Sequence, residues 1–106
     1  MRLVKYEVCP VQSLTENRGT TKPLGEQGKC TLFLYQGKVY ALGHLCPHQN
    51  APLDGAPVEN GQVVCNRHGY CYKLGTGSCS TLGGYALPRY PVEIENGMVI
   101  VTVREF

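Results

Sequence analysis

Two short strings hold the side chains able to do metal chemistry: Cys46-Pro47-His48 and Cys65-Asn66-Arg67-His68, separated by residues 49 to 64. Two soft thiolates and two imidazoles, offered from two loops, are the donor set of a metal centre with unlike ends. In Cys-x-His the two side chains lie two residues apart on a turning backbone, so they can diverge toward different atoms. Cys-x-x-His does the same across one more residue. If both cysteines held an inner metal and both histidines an outer one, each loop would span the whole centre. Gly69 follows the second histidine directly, where a tight turn suits a residue tolerant of positive φ. A Cys₂His₂ zinc site uses the same ligand types, although structural zinc sites usually pair cysteine with cysteine and histidine with histidine. Here each loop is mixed.

The elements that must position these loops read as strands. Val4, Tyr6 and Val8 alternate with Lys5 and Glu7, which predicts a strand over 2–8. The segment TENRGTTKPLGEQGK, residues 15–29, reads as a polar loop. Residues 30–35 and 38–42 are β-rich and flank Gln36-Gly37, a hairpin. Asn60-Gly61 is a type I′ hairpin signal that pairs 56–59 with 62–65 and so delivers the second ligand loop. Residues 69–74 return as a strand, turned by Gly75-Thr76-Gly77. Asn96-Gly97 turns a last hairpin between 92–95 and 98–103. No segment shows a helical period.

Composition bounds the rest. A chain of 106 residues is one domain, and 42% hydrophobic with 17% charged residues fits an ordinary globule. Thirteen glycines and seven prolines suit a turn-rich, all-β body. A net charge of +2, with no Lys/Arg run and no interleaving of aromatic and basic residues, excludes a nucleic-acid binder. The opening MRLVKYEVCP has no apolar core of a signal peptide, and no stretch approaches the roughly 18 apolar residues of a membrane span. The expectation is a cytoplasmic protein without a membrane anchor. Its cysteines outside the two strings, Cys9, Cys30, Cys71 and Cys79, are then free thiols by default.

The strings and their surroundings, CPHQNAPLDG and VVCNRHGYCYKLGTG, resemble a Rieske-type ferredoxin, and the likeness runs through to the closing LPRYPVEIENGMVIVTV. The resemblance implies an all-β Rieske-type fold: an antiparallel β base of about 1–43 and 85–106, with an inserted cluster-binding subdomain of about 44–84. It implies one Rieske [2Fe–2S] cluster per chain, held by Cys46, His48, Cys65 and His68. Two neutral imidazoles in place of two thiolates bring the oxidised cluster from a formal charge of about −2 to about zero. The potential rises accordingly, to roughly −150 to +300 mV against about −400 mV for plant-type clusters. High-potential members carry an extra cysteine in each loop; Ala51 and Arg67 stand there, so that disulfide is absent. Tyr70 stands where they have a serine, and Tyr72 matches a tyrosine that donates to a ligand sulfur. These residues place the chain in the low-potential branch.

The same resemblance implies a small one-electron carrier, with no substrate chemistry of its own, between a flavoprotein reductase and a terminal oxygenase. The alternative is a small Rieske-like subunit of a multicomponent reductase, such as assimilatory nitrite reductase. A zinc-stabilised interaction module is the alternative of another class. Pro47, Pro52, Leu53 and Leu87-Pro88 are the apolar candidates for shielding the cluster, and Arg67, Lys73 and Arg89 for meeting an acidic partner. His44, two residues before Cys46, is not expected to be a ligand.

Overall fold

A computed structural model describes residues 2–47, 50–65, 69–81 and 83–105. They form twelve strands and two single turns of 3₁₀ helix, with no α-helix among the described residues. The chain ends build one sheet. Strand β1 (Arg2–Pro10) and β11 (Val92–Glu95) both pair antiparallel with β12 (Met98–Glu105), which lies between them. Val99, Val101 and Val103 alternate inward along β12 and are buried with Cys9, Leu24 and Leu32. On the outer face Lys5 and Glu93 form an ion pair at 2.9 Å across the central strand.

The second sheet has β2 (Gly19–Pro23), β3 (Lys29–Tyr35), β4 (Lys38–Gly43) and β10 (Arg89–Tyr90), in the order β10-β4-β3-β2. β2 lies inside the segment read from sequence as a polar loop. Thr20 and Thr21 are β-branched and suit a half-exposed edge, and the Thr21 and Thr31 hydroxyls pair at 2.9 Å across the ladder. Gly19 is the point of close approach: a Cβ there would lie 2.6 Å from the Leu53 carbonyl oxygen.

Two small sheets occupy the middle of the chain. β5 (Leu45–Cys46) pairs with β6 (Ala51–Pro52), and β8 (Gln62–Val64) pairs with both β7 (Val58–Glu59) and β9 (Cys71–Lys73). The three expected hairpins form with left-handed turn residues: Gln36 and Gly37, Asn60 and Gly61, Asn96 and Gly97 all have φ between 50° and 80°. Phe33 and Leu42 from the second sheet share a buried cluster with Cys46, Leu53, Val63, Cys65, Tyr72 and Leu87. Both sequence strings thus begin inside a packed core. No helix of the described residues is long and apolar enough to cross a membrane.

Candidate metal centre

Each string starts from a hairpin, and the two are built alike. In the first, Cys46 ends β5 and pairs with Ala51 of β6, and its carbonyl accepts the Asn50 N–H at 2.6 Å. In the second, the Cys65 N–H donates to the Tyr70 carbonyl at 2.8 Å, and the Cys65 carbonyl accepts the Gly69 N–H at 3.1 Å. Both loops therefore close on the residue four past the cysteine, and both closing residues are left-handed: Asn50 at φ 54° and Gly69 at φ 70°. Asparagine and glycine are the residues that tolerate this conformation. His48 and His68, and with them Arg67, lie outside the described residues.

The cysteine side chains are sealed. Cys46 has no exposed surface and Cys65 only 2%. None of the six cysteines forms a disulfide. Tyr72, fully buried, places its hydroxyl 3.1 Å from Cys46 Sγ. A thiolate can only accept, so once Cys46 is ionised this contact is an O–H donated by Tyr72 to sulfur. Burial above all, then the hydrogen bond with Cys46 and the negative charge of Cys46, Cys79 and Cys65, pushes the Tyr72 pKa well above the ordinary tyrosine range. The hydroxyl therefore keeps its proton and remains a donor.

Strand periodicity explains the convergence. Val63 stands opposite Tyr72, and Tyr72 opposite Cys79 across an antiparallel bridge, so the three side chains share a face. Two residues along from Val63 lies Cys65, and two back from Tyr72 lies Tyr70, on the same face. Tyr70 packs edge-on against Tyr85, with ring centroids 6.1 Å apart. Cys79 was not singled out as a site residue from sequence; the turn at 75–77 folds it back to half-buried packing against the Cys46–Cys65 cluster. Cys71 points to the other face, with its thiol 3.4 Å from the Gly69 carbonyl.

Two buried sulfurs, on matching loops with a hydroxyl donor beside one of them, suit a thiolate-held metal group. The family model for the Rieske [2Fe–2S] domain matches residues 4–91.

The chain belongs to the Rieske [2Fe–2S] family.

A Rieske-type [2Fe–2S] cluster is accordingly its cofactor, and this sets the zinc reading aside. The chain is 31% identical over 100 residues to the ferredoxin subunit of 3-phenylpropionate/cinnamic acid dioxygenase from Photorhabdus laumondii, covering 92% of this chain and 93% of that protein. It is 36% identical over 99 residues to human apoptosis-inducing factor 3, covering 92% of this chain but 16% of that protein. The chain thus spans about one sixth of that longer relative. The ferredoxin of Sphingomonas yanoikuyae B1 superposes with a TM-score of 0.85 at 23% identity, over 95% of this chain and all of that one, which shows the fold.

For this Rieske domain the buried Cys46 and Cys65 fit thiolate ligation of the cluster. Among the apolar candidates, Leu53 and Leu87 are buried in the same cluster as the two cysteines, Pro47 is half-buried, and Pro52 and Pro88 are exposed. The Leu87-Pro88 segment ties two regions together: Leu87 N–H donates to Gly77 at 2.7 Å, and Pro88 accepts from Gly43 at 2.9 Å. Lys73 and Arg89 are exposed.

Proposed function

We propose that this Rieske domain is a one-electron carrier whose cluster is held by Cys46 and Cys65 on one iron and by His48 and His68 on the other. The observation that carries this reading is the pair of sealed cysteines on two matching loops, one with the Tyr72 hydroxyl 3.1 Å from its sulfur. When bound, such a cluster supplies reversible uptake of a single electron. The chain's own residues do the rest. The buried cluster of Leu53, Val63, Leu74 and Leu87 keeps water from the thiolates, and a drier surrounding strengthens every nearby hydrogen bond. Tyr72 donates to Cys46 and so favours the form carrying more negative charge.

In this proposal the cluster sits in a unit of about 44–84 on a base of about 1–43 and 85–106, and the protein is cytoplasmic. Its donor is a flavoprotein reductase and its acceptor a terminal oxygenase. The 31% identity to a dioxygenase ferredoxin subunit, over nearly the whole of both chains, supports that placement. Reconstitution tests it. The holoprotein should carry electrons from a flavoprotein reductase to a Rieske-type oxygenase and sustain turnover. Turnover only with a sirohaem nitrite reductase would instead assign it to the reductase-subunit class.

A further inference from the structure

Beside the first ligand loop lies a concavity of about 520 Å³. It sits at one end of the second sheet, because the register brings the ends of three strands together there. Lys22 pairs with Cys30, Pro23 with Lys29, and Cys30 with Gly43, the residue before His44. Pro23, Leu45 and Pro52 give the concavity apolar lining. Leu45 is one of three large hydrophobic side chains exposed among the described residues, at 36%. Among its charged side chains lysine outnumbers carboxylate: two of the chain's five lysines, Lys22 and Lys29, stand here. They face one carboxylate, Asp54, which accepts the Thr21 N–H at 2.8 Å.

The geometry points to this surface as the docking face for an acidic redox protein, which seats an apolar side chain on Leu45 and sets its carboxylates against Lys22 and Lys29. This deepens the carrier reading and rests on it. Leu45 is the covalent neighbour of Cys46 and pairs with Pro52 across the loop. A partner on Leu45 is then one residue along the chain from Cys46. An apolar contact with a charged surround suits a transient electron-transfer encounter, which buries little area and owes its rate to charge. The face is separate from the Lys73 and Arg89 candidates: Arg89 is on β10, at the opposite edge of the sheet from β2.

The test uses the holoprotein and reduced flavodoxin, an acidic one-electron donor, in stopped-flow at low and high salt. Lys22→Glu/Lys29→Glu is compared with Lys73→Glu/Arg89→Glu, which changes net charge equally. The expected result is a slowing of roughly tenfold at low salt for the first pair, closing at high salt, and less than about twofold for the second. Carbodiimide cross-links to flavodoxin carboxylates should map to Lys22 and Lys29. Equal rates for the two variants, or cross-links confined to Lys73, would overturn the docking face while leaving the carrier reading standing. A wild-type protein that binds no iron and sulfide would overturn the carrier reading, and this one with it.

Discussion

Replacing Tyr72 with Phe removes one hydroxyl, the one 3.1 Å from Cys46 Sγ, and leaves the ring in its fully buried place. The consequence for the reduction potential follows from how that hydrogen bond changes with charge. A neutral hydrogen bond contributes about 1 kcal/mol net and one to a charged group about 1.5–3 kcal/mol. Adding an electron moves the sulfur toward the second case, so the bond strengthens by about 1 kcal/mol on reduction. For a one-electron couple, 59 mV corresponds to a tenfold change or about 1.4 kcal/mol, so the loss is worth about 40 mV. Tyr72→Phe should therefore lower the midpoint potential by about 40 mV, read by redox titration followed by EPR with iron and sulfide content matched to wild type. A shift below about 10 mV, or an upward one, would refute the assignment of this hydroxyl as a donor to the cluster's sulfur.

Cys79 stands opposite Tyr72 on the same face, so Cys79→Ala should shift the potential by less than half as much. The shift should be smaller still in a Tyr72→Phe background; equal shifts in both backgrounds would show that Cys79 acts without the tyrosine. In the other core, burial first, then nearby Cys9, pushes the Cys30 thiol up to about 12 from an ordinary 9.0. The folded state then holds its proton more tightly than the unfolded state does. The associated stability is complete below pH 9 and is lost as pH rises toward 12, by at most about 1.4 kcal/mol per unit. Urea titrations across that range should show the decline, and Cys30→Ala should flatten it; part of the slope survives because the Tyr90 pKa is raised too. Gly19→Ala brings a Cβ to 2.6 Å from the Leu53 carbonyl oxygen and 2.9 Å from Phe33, so it should cost about 1–3 kcal/mol in urea unfolding. An unchanged midpoint would show that this contact relaxes freely.

The hairpins were legible because their turns demand left-handed residues, and Asn60-Gly61 and Asn96-Gly97 adopt that conformation. The two cysteine loops were legible from ligand type and spacing, and Tyr72 from the resemblance. Other parts depend on tertiary partners. β2 hides in a stretch of polar residues broken by three glycines and a proline, and takes strand form through β3 and the Thr21–Thr31 contact. β5 and β6 are two residues each beside prolines, too short for any period to register. β10 lies between Pro88 and Pro91 and owes its form to Leu42 and Ala41 of β4. Cys79 was within reach: counting back across the Gly75-Thr76-Gly77 turn, with the Lys73 N–H on the Ser78 carbonyl, sets it opposite Tyr72. The concavity around Leu45 was not, since its lining comes from residues 21 to 54 and needs the sheet register to assemble.

The central claim is a cluster held by two cysteines and two histidines, and its most direct test is an EPR-monitored redox titration of the holoprotein. The expected result is a reduced-state signal with a low average g, at a midpoint in the lower part of the roughly −150 to +300 mV window of histidine-ligated clusters. A midpoint near the roughly −400 mV of all-cysteine plant-type clusters would contradict histidine ligation. A colourless protein with stoichiometric zinc and no labile sulfide would contradict the cluster itself.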